Sequence, residues 1–163
     1  MKKWKLKRKR DHFGGKMILC NLKNSQHYIK HYIDLRNQNK EQLLTDSISE
    51  DETILWLNSA NVCVKVAIEN DELIGAAILY FDKAGEVAIF VKHKRSGVGT
   101  ALLKEIQVQA QNENIKNLWA WVSNTNIASK KLFEKNKFNA DMPCSRVFAG
   151  INYYGIIYKM EII

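Results

Sequence analysis

The chain has 163 residues, 46% of them hydrophobic and only one a proline, which is the composition of one globular domain rather than of a disordered chain. Its formal net charge of +8 suggests a polyanion binder, but residues 1–16 (MKKWKLKRKRDHFGGK) carry eight Lys or Arg against one Asp, so they supply +7 and leave the rest at +1. Cys20, Cys63 and Cys144 are odd in number and lack C-x-x-C spacing, which argues against a disulfide framework and a zinc site and favours a reducing cytoplasm.

Residues 1–16 read as a basic tail outside the folded body, disordered or the remnant of an overlong gene start. The other reading is a head that meets phosphates or an anionic membrane surface. The apolar stretch that follows is too short for a signal peptide or a membrane span. Residues 17–163 then form a single domain. Met17 to Leu22 is a short strand, and Ser25 is placed to cap a helix reaching about Arg36, with Tyr28, Tyr32 and Leu35 at helical spacing. His27 and His31 share one face of that helix, but no third ligand lies nearby, so a surface helix is expected and no metal. Ser49-Glu50-Asp51-Glu52 has capping-box spacing ahead of Ile54, Leu55 and Leu57, which predicts a second helix.

From Val62 the period changes. VCVKVAIE, LIGAAILYF and EVAIFV are successive strands separated by turn signals at Asn70-Asp71 and Asp82–Gly85, and they make an antiparallel meander. Val98, Leu102, Ile106 and Ala110 mark one face of a helix, followed by the strand NLWAWVS at 117–123, which predicts a parallel crossover. A helix near Asn126 to Asn136 and a strand pair around 138–148 and 152–162 complete the chain. The expected fold class is therefore α/β (α+β), a mixed, largely antiparallel sheet of about six to seven strands with about four helices.

Between the third meander strand and the crossover helix lies HKRSGVGTALL. Gly97 and Gly99 lack Cβ atoms, so a ligand can approach the chain there, and successive N–H groups at a helix start are unpaired. The helix dipole and the charges of Lys92, Lys94 and Arg95 favour an anion. Thr100-Ala101 follows Gly99 where a triphosphate loop needs Lys-Ser/Thr, and the third glycine and first βαβ unit of a dinucleotide fingerprint are missing. A mid-chain pyrophosphate site remains, with a plain tight turn as the structural alternative.

Lys94-Arg95-Ser96-Gly97-Val98-Gly99 resembles the Q/R-x-x-G-x-G/A turn of the GCN5-related N-acetyltransferases (GNAT), and NTNIASKKLFEKNKF is similar to their N-x-x-A-x-x-L-Y-x-K-x-G-F block. The resemblance covers the chain from about Val62 to Phe138. It implies acetyl-CoA as co-substrate, held in a splay between two parallel strands, with direct attack by an amine. Backbone groups of Phe90 and Val91 would then hold the pantetheine and thioester. Lys94, Arg95, Ser96, Gly97, Val98, Gly99 and Thr100 would hold the pyrophosphate, and Asn126, Ser129 and Phe133 would complete the cofactor side. Lys94 stands where the family has Gln or Arg, Lys137 where it has Gly, and Phe133 where many relatives have a proton-donating Tyr, although a phenyl ring donates no proton.

For the missing acid, Tyr153, Tyr154 or Tyr158 can substitute if its strand enters the site; packed aromatic residues are the alternative. Glu86 is the candidate base, against a solvent-facing turn residue, and His93 is the weaker candidate. The stretch from Leu35 to Leu57 is similar to the corresponding part of aminosugar-nucleotide and ribosomal-protein acetyltransferases. Arg36 can meet a phosphate or carboxylate of the acceptor or form a surface salt bridge, and Trp56 reads as a core anchor. Two functions follow. One is an acetyl-CoA-dependent N-acetyltransferase of a small amine, such as a nucleotide-linked aminosugar, or of a ribosomal protein or peptide. The other is a non-catalytic module that docks a polyanion through residues 1–16. Neither nucleic acid for the folded body nor a membrane span is expected, and the protein is read as a monomer or homodimer.

Overall fold

Strands that are apolar on both sides must be covered on both faces, and this requirement organises the molecule. A computed structural model describes residues 8–10, 16–94 and 97–163. Along the chain run β1 (Arg8–Arg10), β2 (Lys16–Asn21), α1 (Ile29–Gln38), α2 (Lys40–Leu43), α3 (Glu50–Leu57), β3 (Val62–Glu69), β4 (Glu72–Tyr80), β5 (Glu86–Val91), α4 (Val98–Asn112), β6 (Asn117–Ser123), α5 (Ile127–Lys135), β7 (Asn139–Phe148) and β8 (Ile151–Glu161). The strands form one sheet in the order β1-β2-β3-β4-β5-β6-β8-β7. All pairings are antiparallel except β5 with β6.

The sheet separates two cores. Cys63, Ala67, Ala77, Leu79 and Val87 face α4, whose Val98, Leu102, Ile106 and Ala110 are buried as their spacing predicts. Val64, Val66, Ile78, Ala76 and Phe90 face α1 and α3 and meet Tyr32, Leu35 and Leu57. At about 1.5–3 kcal/mol for each large side chain removed from water, these two layers supply the main driving force for the fold.

The sheet has one strand more than the upper count expected, because Arg8–Arg10 pairs with β2, placing Arg8 opposite Ile18 and Arg10 opposite Lys16. Lys16 thus belongs to the sheet and not to the tail; residues 1–7 and 11–15 lie outside the described residues. An all-cationic edge strand is one of the ways proteins discourage edge-to-edge pairing. The helix count rises by the short α2. Ser25 does not cap α1: its hydroxyl donates to the Cys20 sulfur at 3.5 Å, and a 3-10 turn over Gln26–Tyr28 leads into the helix. Ser49 and Glu52 form the expected capping box, with the Glu52 N–H donating to Ser49 Oγ at 3.2 Å and the Ser49 N–H donating to Glu52 Oε2 at 2.8 Å.

The feature that positions the site is the short contact between β5 and β6. Glu86 pairs with Trp119, and the Trp119 N–H donates to the Gly85 carbonyl at 3.2 Å. Gly85 sits at φ +82, and a Cβ there would lie 2.5 Å from the Asn117 carbonyl oxygen. Only glycine permits this approach. Beyond Glu86 the two parallel strands have no ladder between them, so the β5 edge from Val87 to Val91 faces a gap.

Candidate active site

At one end of the gap lies the start of α4. Gly97 is its N-cap residue, at φ +78, and no side chain caps the helix. The first bond of the helix runs from the Ala101 N–H to the Gly97 carbonyl at 3.1 Å, leaving the N–H groups of Val98, Gly99 and Thr100 without intrahelical partners. A Cβ at Gly97 would meet nothing within 4 Å among the described residues beyond its chain neighbours. This arrangement suits a phosphate: N–H groups without intrahelical partners at the positive end of a fifteen-residue helix.

A Cβ at Gly99 would come within 2.9 Å of Leu132 Cδ2, the tip of a flexible side chain, so glycine there also lets α4 lie close to α5. Lys92 adds no spare charge, since it pairs with Glu72. Lys94 is exposed beside the helix start, while Arg95 and Ser96 lie outside the described residues. Thr100 is tied to α5 by Asn136, whose Nδ2 donates to Thr100 Oγ1 at 3.3 Å and to the Leu132 carbonyl at 2.8 Å.

The middle of the gap is a cavity of about 170 Å³. The predicted residues Arg36, Glu86, Asn126, Ser129 and Phe133 all line it. Asn126 caps α5, its Oδ1 accepting from the Ser129 N–H at 3.2 Å. Phe133 is 2% exposed, edge-on to Phe138 at 5.0 Å and stacked on Tyr158 at 6.2 Å, so it is a core residue whose edge reaches the cavity. Phe90 points away from α4 into the other core, where its ring lies 5.8 Å from Tyr32, and only its backbone belongs to the β5 edge.

Glu86 is buried, not a solvent-facing turn residue. Its Oε1 accepts from Arg146 Nη2 at 2.7 Å. Arg146 in turn lies over Trp121 at 5.1 Å and Trp119 at 5.8 Å, and the Trp121 indole N–H donates to the Cys144 carbonyl at 2.8 Å. One carboxylate oxygen is therefore fixed from β7, and Oε2 has no partner among the described residues. Tyr80, opposite Glu86 in the ladder, also lines the cavity, and burial raises its phenol above the ordinary value, so it is protonated at neutral pH.

The tyrosines expected to replace the missing acid lie elsewhere. Tyr154 is 66% exposed and outside the cavity lining, and the Tyr158 hydroxyl donates to Glu134 at 3.0 Å. Sequence reasoning missed Arg146, Tyr80, Trp121 and Thr45. Arg146 is the sole cation of β7, which is a weak signal; its partner lies sixty residues away on another strand, and no local pattern joins them.

Comparison with known proteins bears on this geometry. The family model described as "Acetyltransferase (GNAT) family" matches residues 28–138, which include the cavity wall from α1 to α5. No curated protein matches the chain in sequence. Among solved structures, an N-acetyltransferase from Staphylococcus aureus Mu50 is similar at 19% identity and a TM-score of 0.79, covering 90% of this chain and 99% of that one. The structure of yncA from Salmonella typhimurium with its cofactor acetyl-CoA is similar at 17% identity and 0.78, covering 90% and 94%. A ribosomal-protein-alanine N-acetyltransferase from Brucella melitensis is similar at 17% and 0.77, covering 88% and 98%. The family match spans more than half of the chain, on the fold and splay described above; the protein belongs to the GNAT acetyltransferase family.

Proposed function

We propose that the protein acetylates a primary amine by direct attack, with the acceptor entering the cavity between α1, β5 and β7. The observation that carries this reading is Glu86, buried at the open end of the β5–β6 contact with one oxygen fixed by Arg146 and the other without a partner among the described residues. An amine attacks only without its extra proton, and a fixed carboxylate at the cavity wall can accept that proton directly or through one water.

When bound, the cofactor supplies an acetyl group as a thioester, whose leaving thiolate is tolerable near neutral pH. The chain's part is to hold and orient. The N–H groups of Val98, Gly99 and Thr100 would meet the pyrophosphate, with Lys94 beside them and Arg95 and Ser96 next to it in the sequence, and the open β5 edge through Phe90 and Val91 would hold the pantetheine arm. Asn126, Ser129 and Phe133 close the α5 side. Phe133 donates no proton, and Tyr80 is the protonated phenol on the cavity wall. Nucleotide-linked aminosugars and peptide amino termini, the latter suggested by the Brucella melitensis neighbour, are the acceptors to try first. The three free cysteines favour work in a reducing cytoplasm.

The test is acetyl transfer from acetyl-CoA to an amine panel, read by mass spectrometry of the products. An N-acetyl product that disappears with Glu86→Gln supports the reading. Transfer only to hydroxyls or thiols overturns it, and undiminished turnover in the variant removes Glu86 from it.

A further inference from the structure

The wall of the cavity carries unequal charge. Arg36, Lys83 and Arg146 face a single carboxylate, Glu86. Glu86 and Arg146 neutralise each other, and Lys83 is an exposed side chain whose ammonium lies 4.4 Å from the centre of the Tyr80 ring. Arg36 differs from both. It is only 9% exposed, and among the described residues it forms no ion pair. Its guanidinium donates to Thr45 Oγ1 at 2.7 Å and to the Asp46 carbonyl at 3.0 Å, both neutral acceptors.

A guanidinium has five N–H donors and is never deprotonated in a protein, so burying it without an anion is costly. A second group shares this corner. Tyr32, one turn earlier on α1, is fully buried against Phe90, and its hydroxyl meets no acceptor or donor at hydrogen-bond distance among the described residues. A buried cation with no anionic partner among the described residues, at one wall of a 170 Å³ cavity, makes a site short of one anionic acceptor.

That anion is not the cofactor's pyrophosphate. Arg36 projects from α1, which packs on the face of the sheet carrying Phe90 and Val64, whereas the free N–H groups of α4 belong to the opposite face with Val98 and Leu102. The two positive regions serve different groups. We infer that the acceptor is a small primary amine that also carries a carboxylate or phosphate group, and that Arg36, held by Thr45 and Asp46, binds this anionic group while the amine lies toward Glu86. The inference rests on the amine-acetylation reading above and narrows its substrate class. It favours compact anionic amines over neutral polyamines.

Matched pairs of amines test it: alanine against alaninamide for the carboxylate, and 2-aminoethyl phosphate against ethanolamine for the phosphate. Each is titrated calorimetrically into the protein saturated with CoA, and each is assayed for acetyl transfer. The expected result is that the anionic member of at least one pair binds about 30-fold more tightly than its neutral partner, the scale of a charge-assisted hydrogen-bond pair. Which pair responds tells carboxylate from phosphate. Arg36→Met should erase the preference and Arg36→Lys should restore part of it, with acetyl-CoA affinity unchanged in both. Equal affinity within both pairs, or no binding of any member, overturns the inference, as does a preference that survives Arg36→Met. If Arg36→Met fails to fold by circular dichroism, the pairs in the unaltered protein decide. An anionic preference with no acetylated product condemns the amine-acetylation reading and leaves the anion site standing, whereas product without preference does the reverse.

Discussion

At the α4 end of the splay the groups we propose for the cofactor are backbone N–H groups of one short stretch, Val98 to Thr100, which follow Gly97 at φ +78. At the acceptor end the working groups are side chains from separate elements: Arg36 of α1, Thr45 after α2, Tyr80 of β4, Glu86 of β5 and Arg146 of β7. The first kind of site tolerates almost any side chain provided the backbone conformation is available. The second depends on each residue and on the packing that brings it in. A family can therefore keep its cofactor end recognisable while its acceptor end changes.

The sharpest way to test this contrast is Glu86→Gln. Loss of a positioned proton acceptor should lower kcat by about 100-fold or more, and leave the affinity for acetyl-CoA as it was, measured by calorimetry beside steady-state rates. Equal damage to both quantities would mean that the two ends are not separable.

Next in size are the glycines, which divide the cofactor end itself. Gly99→Val drives a Cβ to within 2.9 Å of Leu132 Cδ2, and overpacking of this kind costs about 1–3 kcal/mol. Thermal unfolding should show it as several degrees, at about 2–4 °C per kcal/mol for a chain of this size. Gly97→Val has space for its side chain but must hold φ +78, a conformation that costs a non-glycine residue about 1–2 kcal/mol. Its distinguishing effect is on the ligand, a fall of about tenfold or more in acetyl-CoA affinity, about 1.4 kcal/mol. If Gly99→Val lost affinity with no change in Tm, the packing role assigned to that residue would be wrong.

The same contrast explains what could be read from the sequence. The strands at 62–69, 86–91 and 117–123 and the α4 face were legible because burial on two sides, or on one helical stripe, leaves a local period. The start of α4 was legible because the glycine at its cap, Gly97, sits at a positive φ that favours glycine. The acceptor end was legible only in single residues. Glu86 and Arg36 stand in the sequence, but the ion pair to Arg146, its stacking on Trp119 and Trp121, and the burial of Arg36 beside Tyr32 are products of strand order. The start of α1 escaped for a smaller reason. Ser25 has the right chemistry for a cap, but the chain closes 3-10 turns over Leu22–Asn24 and Gln26–Tyr28 first, and its hydroxyl turns to Cys20 instead.

The smallest effect expected concerns how α1, the element that carries Arg36, is moored to the sheet. Tyr28, just before α1, donates from its hydroxyl to Asp71 Oδ1 at 2.6 Å, in the turn between β3 and β4. That hydrogen bond, with burial and the Asp71 charge, raises the phenol from 10.0 to about 12. The protonated phenol is thus favoured in the folded state, and its contribution is fully present below pH 10.0 and is lost as pH rises toward about 12. Because the pair is open to solvent, the contribution is about 0.5 kcal/mol rather than the full value of the shift. Urea unfolding of the unaltered protein and of Tyr28→Phe should give curves that differ slightly at pH 8 and converge as the pH approaches about 12. Identical curves throughout would mean that the mooring of α1 rests on Ile29, Tyr32 and Leu35 alone, and that the acceptor wall is held by the apolar core beneath it.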